Sequence, residues 1–146
     1  MSETVLEALV RAAFAAVMAK DLGACLAGFA EDGVLIDPHY PVGRMEGKAA
    51  IADGLRWGFG GMEVLGFEIE RYFEASDGRS AAVEVATHHV LKGGRSLNFP
   101  QVFVFQVRDG LITRLQAYEP YGPGGIVGLF LGVQRLLHGR RQGGTT

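Results

Sequence analysis

The sequence predicts an α+β domain, because helical periodicity dominates its first part and hairpin signals dominate its second half. Apolar residues recur at helical spacing over residues 5–18. In the second half, four strand-like runs are separated by SDGR, KGGR and RDG, and Asp-Gly and Gly-Gly between such runs are strong hairpin signals. Helices followed by antiparallel strands favour helices packed on one face of a curved sheet.

Two helices are predicted at the start of the chain. Thr4 and Glu7 have the spacing of a capping box, and the helix that they open should end near Lys20. Asp21 can cap a second, shorter helix. A turn is then expected at residues 31–33, because Glu-Asp-Gly precedes a short apolar strand.

The middle of the chain is predicted to be a loop followed by a third helix. Residues 38–47 hold two prolines and two glycines, which favours a loop. The helix should span about 48–57 and stop at the glycine-rich GFGG. From Gly124 onward, apolar residues at helical spacing predict a last, amphipathic helix.

Composition limits the classes of function. A chain of 146 residues with net charge −2 fits one domain and lacks the concentrated basic face that a nucleic-acid partner requires. Since Cys25 is the one cysteine, no internal disulfide can form, and a cytoplasmic location is expected. The most apolar segment, 126–133, is far below the roughly 20 residues of a membrane span, so no membrane partner is expected.

Motifs of several common chemistries are absent from the sequence. It contains no Gly-x-Ser-x-Gly, no phosphate-binding loop, no His-Glu-x-x-His and no paired-cysteine pattern. We therefore expect neither a bound metal nor a cofactor.

Asp37 follows the apolar Val34-Leu35-Ile36 and precedes Pro38, and this context supports two hypotheses. Aspartate is common in turns, where its side chain binds nearby backbone groups. Alternatively, a carboxylate at a strand end could face an apolar cavity, where desolvation raises its pKa toward that of a working general base.

The strand predicted at 97–108 has one apolar face interrupted by a single amide. That face holds Leu97, Phe99, Gln101, Phe103 and Phe105. Apolar walls with few polar anchors are typical of a ligand cavity, and an ordinary core is the alternative.

Three segments occur in the order FAEDGVLIDP (29–38), MEGKAAI (45–51) and RDGLITRLQAYEP (108–120). With the two preceding helices, this combination resembles the nuclear transport factor 2-like superfamily, especially its ketosteroid isomerase and SnoaL-like members. The resemblance covers about residues 5–121. It implies a conical barrel, a curved antiparallel sheet wrapped around the N-terminal helices and an apolar pocket, commonly in a homodimer built on the outer face of the sheet.

The resemblance also divides the chain into a domain at 1–121 and a helical extension at 122–146. The extension could cover the pocket mouth or enlarge the dimer contact.

The resemblance implies roles for individual residues. In ketosteroid isomerases the general base is an Asp directly before a Pro at the end of the first strand, and Asp37 matches that position. The tyrosine that hydrogen-bonds the developing enolate oxygen falls at Ala13, beside Phe14, and neither residue can donate a hydrogen bond. The protonated Asp that assists the tyrosine falls at Gln101, whose amide can donate.

Two histidines are candidates near the same pocket. His88 and His89 diverge on a strand, so they cannot share a metal, and the resemblance gives His89 the inward position. His89 is expected to be a pocket acid, base or hydrogen-bonding group, or else a structural histidine. His39 is expected at the pocket rim.

The last strand ends in Tyr118 and Glu119, where SnoaL-like members often carry an aromatic residue and an acid. Glu119 could face Asp37 across the cavity, or be a surface charge. The candidate substrate-binding residues are Phe14, His39, Trp57, Phe99, Phe103, Tyr118 and Glu119.

These observations lead to the hypothesis of a small, cofactor-independent isomerase, cyclase or lyase. Its substrate would be an apolar, carbonyl-bearing molecule such as a steroid, terpenoid or polyketide. Asp37 would remove a proton, and Gln101 or His89, with help from Tyr118, would stabilise the oxygen. A non-catalytic ligand-binding domain and a pure interaction domain are the alternatives.

Overall fold

The computed structural model of the protein describes residues 2–119 and 125–142. Its elements, in chain order, are α1 (Val5–Met18), α2 (Leu22–Ala27), β1 (Phe29–Ile36), β2 (Arg44–Glu46), α3 (Lys48–Gly61), β3 (Met62–Val64), β4 (Phe67–Glu74), β5 (Ser80–Leu91), β6 (Ser96–Arg108), β7 (Leu111–Tyr118) and α4 (Gly125–Gln142).

Seven strands form one curled sheet in the order β2-β1-β7-β6-β5-β3, and β4 also pairs with β5. The predicted antiparallel hairpins β5–β6 and β6–β7 are present, but β1 and β7 run parallel, so the sheet is mixed. Side chains of α1, α2 and α3 pack against its concave face around a shared apolar core. The predicted α+β cone with a further C-terminal helix is therefore confirmed.

The first two helices begin at the predicted capping residues. The Thr4 hydroxyl accepts a hydrogen bond from the Glu7 N–H at 3.0 Å, and the Asp21 carboxylate accepts one from the Ala24 N–H at 3.0 Å. Each bond satisfies an N–H that has no partner within its helix, which typically contributes about 1 kcal/mol.

The turn predicted at residues 31–33 is wrong, because β1 already begins at Phe29. The pairing of β1 with β7 shifts register between Phe29 and Val34. Gly33 permits this irregularity, since a Cβ there would lie 2.9 Å from the Ala30 carbonyl oxygen and 3.0 Å from the Ile112 carbonyl oxygen. The glycine therefore bends a strand instead of ending one.

Two other predicted boundaries differ in the middle of the chain. The expected loop 38–47 contains β2, which pairs with β1 and buries Met45. The third helix does not stop at GFGG but continues to Gly61. Gly58 is buried in this helix, and its packing outweighs the low helix propensity of glycine.

The first long strand run divides at Leu65-Gly66 into β3 and β4, which both pair with β5. The Gly66 N–H donates to Nδ1 of His89 at 3.2 Å, and the Gly66 carbonyl accepts from the His88 N–H at 2.8 Å. A Cβ on Gly66 would overlap the His88 carbonyl oxygen. The backbone at this break therefore approaches β5 as closely as glycine allows.

Helix α4 corresponds to the predicted C-terminal helix. The expected boundary between residues 121 and 122 lies outside the described residues. None of the helices in the described part of the chain has the length and hydropathy to cross a membrane.

Replacing Gly66 by alanine should lower the free energy of unfolding by about 2–4 kcal/mol, because the β4–β5 contact must open to admit a methyl group. Chemical denaturation of Gly66→Ala measures the loss. Gly60→Ala is the control, since no atom lies within 4 Å of a Cβ at that exposed helical position. Equal stabilities of the two variants would contradict the close approach.

Candidate active site

A cavity of about 470 Å³ lies between the concave face of the sheet and helices α1–α3. This volume falls within the roughly 300–1,000 Å³ range of small-molecule sites. Its apolar walls include Phe14, Leu55, Phe67, Phe99, Phe103 and Phe105. Polar side chains reach it at Asp37, His39, Tyr40, His89 and Gln101. The cavity therefore combines apolar walls with a small number of polar contacts.

Asp37 takes part in the turn after β1 and also faces the cavity. Its Oδ1 accepts a hydrogen bond from the His39 N–H at 2.9 Å, which closes the turn after β1. The same side chain is largely buried and lines the cavity. Burial raises the pKa of the Asp37 carboxyl, while the His39 N–H and the charge of the His39 ring act in the opposite direction.

Glu119 lies behind the cavity wall, next to His39 and Gln101, and does not itself line the cavity. Its Oε1 contacts Nδ1 of His39 and accepts a hydrogen bond from Nε2 of Gln101 at 2.9 Å. His39 Nδ1 is 3.7 Å from Asp37 Oδ1, so the imidazole lies between the two carboxylates. Burial raises the pKa of Glu119 most, His39 lowers it, and the charge of Asp37 raises it further. A proton can be shared among these three groups.

The same three residues meet the spacing of a cation site. Asp37, His39 and Glu119 each offer one ligand atom, and these atoms lie within 4.8 Å of one another. Carboxylate and imidazole ligands suit divalent metals such as zinc. The geometry thus allows either a proton or a cation to be held, and experiments with a chelator distinguish the two.

Gln101 is held on both sides of its amide. Its Oε1 accepts a hydrogen bond from the Thr87 hydroxyl at 2.6 Å, and its Nε2 donates to Glu119. Thr87 and Gln101 are both buried. Because one amide N–H is used by Glu119, the clearest effect of Gln101 is to orient that carboxylate.

His89 is a neutral group in the cavity wall. Burial, followed by the positive charges of His39 and His88, lowers the pKa of His89 to about 4. Because Nδ1 accepts the Gly66 N–H, the ring proton is assigned to Nε2. His89 is therefore a hydrogen-bond donor that carries no charge at neutral pH.

The other predicted contact residues are distributed unevenly. Phe14, Phe99 and Phe103 line the cavity, and the Phe14 and Phe103 rings meet edge to face at 5.2 Å. His39 also lines it, with half of its side chain exposed to solvent. Trp57 lines it while remaining 55% exposed.

The expectation that Tyr118 reaches the pocket is wrong. Ala117 is buried against the core, so the alternation of β7 places Tyr118 on the opposite face, where it is 45% exposed. Tyr118 does not line the cavity.

Tyr40 is a cavity residue that the sequence did not identify. Its hydroxyl lies against Gly58 of α3, where a Cβ would be 3.2 Å from the tyrosine oxygen. Within the described residues, that hydroxyl forms no hydrogen bond with the protein. Burial, then the negative charge of Asp37, raises the pKa of Tyr40. The sequence signal that corresponds to this contact is Gly58 of α3, which leaves room for the tyrosine ring.

The curled sheet, the apolar cavity between sheet and helices and the acid–base groups at one corner define a nuclear transport factor 2-like α+β cone. Residues 10–115 match the SnoaL-like domain, and the chain belongs to that family. Among curated proteins, none matches the sequence.

Several solved structures are similar to this chain. The Δ5-3-ketosteroid isomerase from Mycobacterium sp. is 27% identical with a TM-score of 0.71, over 79% of this chain and 92% of that one. A putative polyketide cyclase from Xanthomonas campestris pv. campestris is 27% identical with a TM-score of 0.68, over 82% and 92%. Rv0760c from Mycobacterium tuberculosis, in complex with estradiol-17β-hemisuccinate, is 24% identical with a TM-score of 0.71, over 79% of this chain and 93% of that one. At this level of identity, the similarity supports the shared fold and nothing more specific.

The lowered pKa of His89 predicts a specific loss of stability in acid. The unfolded chain binds a proton at its ordinary pKa near 6.5 and the folded chain only near 4, so stability falls as the pH drops through this range. Between pH 7 and 4 the loss is roughly 3 kcal/mol, less any screening by solvent. In denaturation experiments between pH 7 and 4, the His89→Gln variant should lose less stability than the parent protein does.

His88→Gln is the matched control, because the His88 side chain is 55% exposed. This variant should keep the acid sensitivity of the parent protein. If both variants follow the parent curve, His89 is not the group responsible.

Proposed function

We propose that the protein is a cofactor-independent enzyme that transfers a proton within an apolar, carbonyl-bearing molecule, as in isomerisation or cyclisation. The observation that carries this proposal is the buried Asp37 carboxylate in the wall of an otherwise apolar cavity. Similarity to an isomerase and to a putative cyclase supports the same class of reaction. A steroid, terpenoid or polyketide would suit these walls.

Asp37 acts as the general base. Its ionised carboxylate removes a proton from the carbon next to the carbonyl, and the electron pair of that C–H bond forms an enolate. The protonated Asp37 then returns the proton to another carbon of the same molecule. The raised pKa of Asp37 favours this exchange, because it brings the carboxyl closer to neutral pH.

The enolate oxygen needs hydrogen-bond donors, and Tyr40 and His89 are suited to this role. Both line the cavity, and at neutral pH each carries a proton on its polar atom while the ring remains uncharged. Tyr40 supplies an O–H that Ala13 and Phe14 of α1 cannot. Preorganised donors of this kind often supply much of the catalytic effect.

Glu119 and His39 provide a second acid–base pair beside Asp37. His39 is half exposed and contacts Glu119, so a proton can pass between this corner and solvent. Gln101 keeps Glu119 in place through its amide. The pair would restore the ionisation state of Asp37 after turnover, or donate a proton to the substrate.

A ligand-binding domain without catalysis is the second candidate. It is favoured by the state of Gln101, whose amide already uses its oxygen on Thr87 and one of its two N–H groups on Glu119. Under this alternative, apolar molecules bind in the cavity and Asp37 serves only the turn.

Replacing Asp37 by asparagine should abolish proton transfer with only a small change in ligand affinity. The amide can still accept the His39 N–H but cannot act as a base. Nuclear magnetic resonance in D₂O measures deuterium uptake next to the carbonyl of a panel of apolar steroid and terpenoid ketones, independently of the final product. Asp53→Asn, at an exposed helical site, is the control.

Four further results complete this experiment. Retained exchange in Asp37→Asn would exclude the base, and binding without exchange in the parent protein would favour the ligand-binding domain. Loss of exchange in the presence of a chelator would assign the corner to a cation. The stability of the variant relative to the parent should grow as the pH rises above 3.8, because burial disfavours the ionised carboxylate in the folded state.

Removing the Tyr40 hydroxyl should lower kcat/KM for the same exchange about 10²-fold, the usual order for one lost oxyanion donor. Tyr40→Phe keeps the ring that packs on α3, so its melting temperature should stay close to that of the parent. Tyr118→Phe removes an exposed hydroxyl on the other face of the sheet and should leave exchange unchanged. Equal rates for the two variants would exclude Tyr40 as a donor.

A further inference from the structure

Helix α4 exposes a continuous apolar stripe. Six large side chains, spaced three or four residues apart, are between 47% and 86% exposed, and they are Ile126, Leu129, Phe130, Val133, Leu136 and Leu137. At 3.6 residues per turn these positions fall within an arc of about 120°, and Arg135 lies opposite, about 180° from Ile126. A stripe of this size is unusual on a surface that contacts only water.

The charge of α4 differs in sign from that of the remaining chain. Residues 125–142 contain Arg135, Arg140 and Arg141 and no aspartate or glutamate. Since the whole chain has a net charge of −2 and this segment contributes +3, the remainder carries −5. Positive charge is thus concentrated on the helix that carries the exposed apolar stripe.

We propose that α4 binds the surface of an anionic membrane. It would lie in the plane of the interface, with the apolar stripe among the upper acyl chains and Arg135 near the lipid phosphates. This geometry differs from a membrane span, for which no described helix is suited.

Lipid suits α4 better than a second α4 does. A pair of such helices could bury their stripes, but neither helix contains a carboxylate to neutralise the arginines of the other. An anionic bilayer supplies the apolar layer and the negative charge together. Where the proposed function holds, membrane binding would also bring the cavity near apolar molecules that partition into lipid.

Vesicle co-sedimentation of the full chain tests the proposal. The protein should bind vesicles of phosphatidylcholine and phosphatidylglycerol in equal parts at least tenfold more tightly than pure phosphatidylcholine vesicles, and 0.5 M salt should remove most of this preference. The paired change Leu129→Gln and Leu136→Gln should reduce binding at least tenfold. Arg135→Gln should reduce it about fivefold.

The matched control changes two exposed apolar residues outside α4, Val5→Gln and Val42→Gln, which are 87% and 63% exposed in the parent. This control should bind vesicles as the parent does. Because the altered stripe is exposed, melting temperatures and circular dichroism should confirm that every variant is folded.

Absence of vesicle binding by the parent would overturn the proposal, as would equal binding by the stripe variant and its control. A dimer in analytical ultracentrifugation that dissociates on changing Leu129 and Leu136, without any binding to vesicles, would identify a second copy as the occupant. Asp37→Asn should bind vesicles normally, and the stripe variant should keep deuterium exchange with soluble ketones. Failure of this inference is therefore distinguishable from failure of the proposed function.

Discussion

The alternation of side chains along β5 and β6 governs both the core and the candidate site. Val83 and Val85 share one face of β5 with His89, and that face meets Phe103 and Gln101 across the ladder. A shift of one residue in this pairing would turn the apolar core and the polar site outward together. The cavity also requires the sheet to curl, which the glycine positions in β1 and between β3 and β4 permit. The core and the candidate site therefore depend on the same register.

The polar groups at one corner of the cavity lower the stability that this apolar packing provides. Burial raises the pKa of both Asp37 and Glu119, so ionising either carboxyl works against folding. The His39 N–H and the Gln101 amide offset part of that cost through hydrogen bonds. An apolar corner would be more stable, and such a concentration of perturbed groups is a common property of catalytic sites.

Sequence reasoning succeeded where the determinant is local. The caps at Thr4 and Asp21 depend on residues within one helical turn, and the cavity-facing positions of β6 follow from a period of two. It failed for Tyr118 because the phase of β7 is set by its pairing with β6, not by its own composition. Tyr40 was missed because its place depends on the loop path, which is closed by a hydrogen bond from the Asp37 N–H to the Gly43 carbonyl. The orientation of Tyr118 and the position of Tyr40 are therefore set by long-range contacts, which local sequence patterns do not reveal.

The contact between Tyr40 and α3 couples two distant parts of the sequence. The tyrosine ring lies against position 58 of the helix, where a Cβ would be 3.2 Å from the tyrosine oxygen, whereas a Cβ at position 54 would first meet Met45 Sδ. Relatives with a small residue at the position of Tyr40 would be free to carry a larger side chain at position 58. Variation at positions 40 and 58 should consequently be correlated, and relatives that keep the aromatic residue with this glycine should share the shape of this side of the cavity.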